Sequence, residues 1–296
     1  MDSTETYSRN QAWLLAIRPR TLGAGVIPVL VGLAVASRSV SVDVVTAFAT
    51  VLCASFLQIT SNLANDYYDF VRGVDDADRL GPLRVTQAGL LSPRSVLTAT
   101  RASLAAALVC GAWLIVVGGP AILAIGVSAA VCALAYSAGP RPLSWYGLGD
   151  PLAFIFFGVV AVLGTVLLQG AAVGRVAVLA SVPIGCLVTA LIVVNNLRDI
   201  DSDTRAGKGT LAVRIGATAT RREYNTLILG AYLGLIPLAL ACSAVGVLLP
   251  LLSAPLALSE LKAIATRGGA ALNLSLVGTA RLHVVFGLLL TAGLWL

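Results

Sequence analysis

Long apolar segments separated by short polar loops follow one another along the whole 296-residue chain. A helix of about 20 residues crosses the roughly 30 Å of hydrocarbon in a bilayer, and each segment reaches or approaches that length. The pattern predicts nine transmembrane helices, at 20–37, 43–66, 95–118, 121–136, 147–169, 176–197, 222–243, 245–262 and 281–296. The chain is therefore predicted to be an all-α membrane protein.

The polar segments between the apolar ones are unequal in length. Residues 1–19 combine Trp13 with short apolar stretches and predict an interfacial segment ahead of the first helix. Three longer polar loops, at 70–94, 137–146 and 198–221, fall on one side of the membrane when the loops alternate. We expect a single membrane domain over residues 1–296, capped on that side by these loops.

Composition and charge strengthen this interpretation. The chain is 58% hydrophobic and only 11% charged, with a mean hydropathy of +0.92, whereas soluble domains are about 25% charged. Of the 20 Lys and Arg residues, only Arg38 and Arg175 fall on the side opposite the long loops. Because positive loops stay in the cytoplasm, we predict a cell-membrane protein whose N-terminus is cytoplasmic and whose C-terminus is outside. No basic and aromatic pattern indicates nucleic-acid binding.

Two acidic clusters stand at the ends of predicted helices two and six. Residues three or four apart share a helix face, so each cluster presents several side-chain oxygens on one stripe. The first cluster contains Asn62, Asn65, Asp66 and Asp69, and the second contains Asn195, Asn196, Asp199 and Asp203. Mg²⁺ prefers oxygen ligands and is commonly shared between carboxylates and substrate phosphates. Two such clusters facing one cavity predict a cation site for a diphosphate substrate at the membrane surface.

Two other interpretations of the clusters remain open. They are consistent with solvated carboxylates at helix ends that pair with nearby arginines. They are also consistent with a cation transporter, although transporters place ionisable groups near the middle of the membrane rather than at one surface.

Four stretches of sequence resemble a known family. They are Arg18-Pro-Arg-Thr, Asn62-Leu-Ala-Asn-Asp-Tyr-Tyr-Asp-Phe, Gly81-Pro-Leu-Arg-Val-Thr-Gln87 and Tyr136-Ser-Ala-Gly-Pro140. Together they resemble the UbiA superfamily of intramembrane aromatic prenyltransferases, and most closely its branch acting on 1,4-dihydroxy-2-naphthoate. Gly73 stands where the general first motif has an aspartate, and Asp75 resembles the naphthoate branch instead. Asp150 stands where the family usually has a glutamate.

The resemblance implies a fold, a cofactor and a set of site residues. The helices would surround a central cavity, and two Mg²⁺ ions would bind there. The implied metal ligands are Asn65, Asp66, Asp69, Asp199 and Asp203. The implied catalytic residues are Asp66, Asp69, Asp199, Asp203 and Tyr136. The implied substrate contacts are Asn62, Asn65, Arg72, Arg84, Gln87, Arg141, Asn196 and Lys208.

The resemblance also implies a reaction. A polyprenyl group would pass from polyprenyl diphosphate to 1,4-dihydroxy-2-naphthoate, releasing CO₂ and diphosphate and giving demethylmenaquinol. The alternatives are UbiA-type enzymes with another acceptor, of the 4-hydroxybenzoate, haem, chlorophyllide or phosphoribose type. Small residues on predicted helices one, two and nine are expected to leave a lateral opening through which the prenyl tail reaches the bilayer.

Overall fold

The computed structural model describes residues 7–73, 80, 81, 83–136 and 142–296, and these residues form helices and no strand. The first helices are α1 (Arg9–Ile17), α2 (Pro19–Ala36), α3 (Val44–Val71), α4 (Pro93–Ala135) and α5 (Gly149–Ala153). The next are α6 (Ala161–Leu168), α7 (Arg175–Arg198), α8 (Ile200–Arg205) and α9 (Leu211–Leu233). The last are α10 (Leu235–Cys242), α11 (Ala254–Thr266) and α12 (Leu272–Trp295). A π-helical turn, Phe154–Val160, joins α5 to α6, and the 3₁₀ segments are Leu143–Tyr146, Val245–Ser253 and Gly269–Ala271.

The predicted all-α membrane fold is confirmed, but the count of nine spans is not. Eight helical stretches in the described part of the chain are long and apolar enough to cross a membrane. They are Pro19–Ala36, Val44–Val71, Pro93–Cys132, Gly149–Leu168, Arg175–Arg198, Leu211–Cys242, Val245–Thr266 and Gly269–Trp295. The difference lies in Pro93–Cys132, which contains the third predicted helix and most of the fourth.

The long helix α4 reverses direction at Gly119. This residue has φ 68° and ψ −157°, a conformation essentially restricted to glycine, and Pro120 follows it. The first leg packs against α3, where the Ser103 hydroxyl donates to the Phe56 carbonyl at 2.8 Å. The second leg lies along α5 and α6 and places the Tyr136 ring beside Gly149. We call these two legs, residues 93–118 and 120–136, the α4 hairpin.

Two predicted boundaries were wrong. The last helix begins at Leu272 rather than at residue 281, so His283 lies buried inside α12 and not at its start. The helical segment predicted to begin at 222 already begins at Leu211. In both cases arginines that suggested a loop lie on helices, because a long side chain can reach a polar surface from a helical position.

The core surrounds α7, which contacts α2, α9, α12 and the π-helical turn. Small residues allow these helices to approach closely: a Cβ added at Gly158 would collide with the backbone of Gly185 on α7. The helices α3 and α4 lie outside this core. The N-terminal helix α1 packs Ala12 and Ala16 against Leu63 near the end of α3.

The two ends of the bundle are marked by different hydrogen bonds between helices. At one end, the side chain of Asn62 on α3 donates to the Ile17 carbonyl at 2.9 Å, joining α3 to the junction of α1 and α2. At the other end, Arg38 donates to the carbonyls of Cys242 and Leu294, at 3.2 and 3.0 Å. The helix α1 and the end of α12 therefore lie at opposite ends of the bundle.

Candidate active site

A cavity of about 1280 Å³ opens at the end of the bundle that holds α1. Its polar end is bordered by Asn65, Asp69, Arg84, Asn195, Asn196, Asp199, Asp203 and Lys208. Its interior is bordered by apolar side chains, among them Val29, Leu114, Ile122, Ile125, Phe157 and Leu168. Pockets for drug-sized ligands measure about 300–1,000 Å³, so this cavity has room for a larger amphiphile.

Asp69 and Arg84 form a buried ion pair at the polar end. The guanidinium Nη2 of Arg84 lies 2.8 Å from Oδ2 of Asp69. Asp69 is carried by the last turns of α3, and Arg84 by the loop before α4. Both residues border the cavity, as does Asn65 one turn before Asp69. The first predicted cluster thus supplies one carboxylate to the cavity together with a cation.

Asp66 lies on the same helix but binds the loop before α4 and does not border the cavity. It is 1% exposed and is absent from the cavity lining. Its Oδ2 accepts from the Val85 amide at 3.1 Å, and its Oδ1 accepts from the amide of Thr86 at 3.0 Å and from the Thr86 hydroxyl. A carboxylate has about four acceptor positions, and three of them here bind the loop. The metal role of Asp66 stays a prediction.

Asn62 anchors the junction between α1 and α2. Its side-chain nitrogen donates to the Ile17 carbonyl and to the Thr21 hydroxyl, at 2.9 and 2.8 Å, and its oxygen accepts from Gln58 at 3.3 Å. The residue borders the cavity but is buried. Its amide hydrogens therefore fix the α1–α2 junction beside the cavity.

The second cluster is organised by Arg198, a residue that the sequence analysis did not assign to the site. Its guanidinium binds both carboxylate oxygens of Asp199, at 2.7 and 2.6 Å, and donates to Asn195 at 2.8 Å. It also donates to Asn273 on α12 at 2.8 Å. The signal in the sequence is an arginine directly before Asp199 at the end of an apolar helix, which agrees with the interpretation that the helix-end carboxylates pair with nearby arginines.

Asp203 and Lys208 complete the polar end. The Lys208 ammonium lies 3.6 Å from Oδ1 of Asp203, and the Lys208 amide donates to the Asp203 carbonyl at 2.8 Å. Burial raises the pKa of Asp203 to about 6, and the charges of Asp199 and Asp69 act in the same direction, while Lys208 opposes them. Asp69, Asp199 and Asp203 border the same cavity, so the two clusters belong to one site.

Tyr136 and Asn196 lie on the cavity wall, with Asp150 behind. The Asn196 side-chain nitrogen donates to Oδ1 of Asp150 at 3.2 Å, and Asp150 is 3% exposed. Burial raises the pKa of the Tyr136 hydroxyl above its ordinary value, and the charges of Asp150, Asp203 and Asp69 add to that effect. Tyr136 therefore keeps its proton at neutral pH.

Two predicted substrate contacts among the described residues, Arg72 and Gln87, do not border the cavity. The Arg72 guanidinium lies 5.6 Å from the centre of the Tyr68 ring, and Arg72 does not border the cavity. Gln87 is exposed on the loop. Arg141 falls outside the described residues, as do Asp75, Asp76 and Asp78, so the structure says nothing of these four.

The possible metal ligands at the cavity can be compared with the ligands that a divalent ion needs. Among the residues that the structure describes, no three Asp, Glu, His or Cys side chains converge on one point. Each cavity carboxylate is instead balanced by Arg84, Arg198 or Lys208. The site fits Mg²⁺ as an ion that takes a few carboxylate oxygens and completes its shell with water and substrate phosphates.

The fold and the site define a multi-pass helical membrane protein with a large cavity, charged at its mouth and apolar inside. The chain belongs to the UbiA prenyltransferase family, whose sequence pattern matches residues 25–293. It is 39% identical over 246 residues to a 1,4-dihydroxy-2-naphthoate octaprenyltransferase of Mycobacterium tuberculosis, covering 83% of each chain. It is 37% identical over 232 residues to the Escherichia coli protein of the same description, covering 76% of this chain and 75% of that one.

A solved structure has the same fold. It is a UbiA homolog from Archaeoglobus fulgidus bound to DMAPP and Mg²⁺, with a TM-score of 0.64 and 17% sequence identity. The match covers 94% of this chain and 98% of that chain.

Proposed function

We propose that this protein transfers a polyprenyl group from polyprenyl diphosphate to 1,4-dihydroxy-2-naphthoate, with release of CO₂ and diphosphate, giving demethylmenaquinol. The observation that carries the proposal is the amphiphilic cavity, in which charged residues at the mouth give way to a mainly apolar interior. A polyprenyl diphosphate has the same division between head and tail. The names of the M. tuberculosis and E. coli relatives support the choice of acceptor.

The carboxylates are assigned to metal binding in this proposal. Asp69, Asp199 and Asp203 would hold Mg²⁺ at the mouth, with Asn65 and Asp66 as further ligands of one of two ions. When bound, Mg²⁺ would neutralise the charge that develops on the departing diphosphate. The A. fulgidus structure with DMAPP and Mg²⁺ supports this assignment.

The chain's own cations and walls would do the remaining work. Arg84 and Lys208 border the cavity and would bind diphosphate oxygens through charge-assisted hydrogen bonds. Asn196 would orient the head group, with Arg72, Gln87 and Arg141 as further predicted contacts from the loops. Tyr136 would present its ring to the developing cation. The apolar interior would keep water away from that cation.

The chain is proposed to act as one membrane domain in the cell membrane. Its mouth and N-terminus would face the cytoplasm and its C-terminus the outside. The opposite placement of α1 and the end of α12 supports this orientation, and so does the small positive charge at the far end.

The test is a transfer assay on purified protein with 1,4-dihydroxy-2-naphthoate, radiolabelled octaprenyl diphosphate and Mg²⁺. We expect prenylated product and CO₂ in equal amounts, and no product with EDTA. Asp199→Asn should lower turnover by about a hundredfold or more, because a charge that stabilises the transition state is lost. Asp201→Asn is the matched control, since Asp201 is exposed and does not border the cavity.

Each outcome separates one part of the proposal from the rest. Product with 4-hydroxybenzoate instead of the naphthoate would retain the prenyltransferase and reject the acceptor. Full activity of Asp199→Asn would reject the metal assignment. Absence of product with every aromatic acceptor would reject the reaction.

A further inference from the structure

A second, smaller concavity lies outside the cavity, between α1 and the first leg of the α4 hairpin. Its volume is about 380 Å³. The helix α1 contributes Arg9 and Trp13 to its lining, and the first turns of α4 contribute Arg94, Ser95 and Thr98. We call this concavity the α1–α4 groove.

The groove has two arginines and no acidic residue among its lining side chains. Arg9 and Arg94 are both exposed, and neither forms an ion pair with a described residue. The described stretches 7–42 and 83–136, which contain α1 and α4, have no Asp or Glu. Two like charges on neighbouring helices, with no acidic residue beside them in sequence, attract an anion.

The groove lies where the first leg of the hairpin leaves the hydrocarbon. Arg94 and Arg101 are the charged residues of that leg, and the 17 residues from 102 to 118 carry no charge. Such a stretch spans about 26 Å of helix rise, close to the roughly 30 Å of hydrocarbon in a bilayer. Trp13 suits the same depth, because tryptophan is enriched at membrane interfaces. The groove is therefore at the level of the lipid head groups.

An apolar stripe continues from the groove along the first leg. Ala102 lines the groove, and Val109 and Val116 follow at i+7 and i+14, on the same helix face. They are 73% and 79% exposed, and neither borders the cavity. The acyl chains of a lipid whose head group lies in the groove would meet this stripe, whereas a free anion would have no use for it.

The helix α1 stands between the groove and the cavity. On one stripe, Gln11, Leu14 and Arg18 border the cavity. On another stripe, Arg9 and Trp13, one turn apart, line the groove. A ligand in the groove therefore contacts the helix that borders the cavity near its mouth.

We infer that the α1–α4 groove binds the phosphate of an anionic phospholipid, and that this lipid holds α1 in place beside the mouth of the cavity. The inference goes beyond the proposed reaction and does not depend on it. Arginine suits a phosphate because its planar donors bind two oxygens at once. Arg9 and Arg94 approach the head group from two helices, so one lipid joins them.

The first test measures lipid binding to the purified protein by native mass spectrometry. We expect phosphatidylglycerol to bind more tightly than phosphatidylcholine. Arg94→Gln and Arg9→Gln should each weaken the binding of phosphatidylglycerol by about fivefold, the contribution of one arginine beside anionic lipid. Arg101→Gln is the matched control, because the same charge is lost on the same helix but Arg101 does not line the groove.

Each outcome of this test supports or overturns the lipid site. Equal weakening by Arg94→Gln and Arg101→Gln would show that binding follows total charge, and would overturn the groove. Equal affinity for the two lipids would overturn the recognition of an anionic head group. Inorganic phosphate at the same concentration should not displace phosphatidylglycerol, and displacement would make the groove a site for free anions instead.

The second measurement follows α1 itself in vesicles of phosphatidylcholine, with and without an equal amount of phosphatidylglycerol. Hydrogen exchange is recorded on the peptide that covers 9–17. We expect phosphatidylglycerol to slow this exchange in the parent, because a ligand of the folded arrangement stabilises it, and to have no effect in the double variant Arg9→Gln/Arg94→Gln. Equal exchange in both kinds of vesicle would reject the role of the lipid in holding α1. Neither measurement uses prenyl transfer, so failure of the proposed function would leave both results interpretable.

Discussion

At the scale of single residues, neighbouring carboxylates on one helix have different tasks. Asp66 and Asp69 are three residues apart on α3, yet Asp66 binds the amides of Val85 and Thr86 whereas Asp69 pairs with Arg84 at the cavity. Hydrogen bonds to a charged group contribute about 1.5–3 kcal/mol each. Asp66 therefore holds the loop that carries Arg84, and Arg84 reaches the cavity because of it.

This division of tasks predicts a specific defect in Asp66→Asn. One side-chain oxygen becomes an NH₂ group that cannot accept, so at least one loop amide loses its partner. We expect the Val85 and Thr86 amides to exchange hydrogen about tenfold faster or more, given the energy of a hydrogen bond to a charged group. Hydrogen exchange with mass spectrometry on the peptide that covers 83–91 measures this. Thr86→Ser, which keeps the hydroxyl and both amides, serves as the control, and equal exchange in Asp66→Asn and the parent would contradict the anchor role.

At the second cluster, one arginine, Arg198, makes several hydrogen bonds at once. A single buried guanidinium joins α7 to α12 through Asn273 and orients Asp199 through two bonds. An arginine suits this position because its planar donors match both carboxylate oxygens at once. The carboxylate of Asp199 is therefore held facing the cavity before any substrate binds.

At the scale of elements, the α4 hairpin is the feature that shapes the cavity. Its reversal requires Gly119 at φ 68° and ψ −157°. The second leg returns towards the mouth and brings Tyr136 to the wall of the cavity that Asp69 and Asp203 also border. One glycine thus decides whether this tyrosine reaches the site.

Replacing Gly119 by alanine should therefore destabilise the protein. An alanine in this backbone region carries a strain of about 1–3 kcal/mol, and we expect an apparent melting temperature several degrees lower in detergent. Gly126→Ala is the matched control, because Gly126 lies on the same hairpin, has helical backbone angles and has free space for a Cβ. Equal melting temperatures for the two variants would show that the reversal does not depend on glycine.

At the scale of the whole molecule, the charge distribution supports the proposed orientation. The far end of the bundle carries Arg38 and Arg175, and Arg38 binds the carbonyls that end α10 and α12. A cation at a helix C-terminus is favourable, so this arginine has a structural use there. Among the described residues, Arg84, Arg198 and Lys208 lie at the mouth, and these charges favour a cytoplasmic mouth.

Cysteine labelling tests this orientation. In a background in which the five native cysteines are replaced by alanine, Val173→Cys introduces an exposed thiol before α7, and Thr204→Cys introduces one at the mouth on α8. A membrane-impermeant maleimide added to intact cells should label Val173→Cys and should label Thr204→Cys only after permeabilisation. The reverse pattern would place the mouth outside the cell.

The sequence by itself determined the class of protein, the segments that form membrane helices and the two acidic clusters. These features depend on hydropathy along the chain and on spacing along one helix, both of which are local. The positions of the Lys and Arg residues in the loops are also read directly along the chain. The predicted break between 95–118 and 121–136 falls at Gly119 and Pro120, where α4 reverses, because a glycine followed by a proline is a local signal for the interruption of a helix.

Only the tertiary structure decided which side chains the cavity receives. Helical spacing placed Asn62, Asp66 and Asp69 on one stripe of α3, but the loop that returns about 20 residues later covers Asp66 and leaves Asp69 open. Asn62 is likewise occupied by the α1–α2 junction. Which oxygens remain for a ligand depends on the segments that pack over the helix, and such long-range contacts are not encoded in the period of a single element.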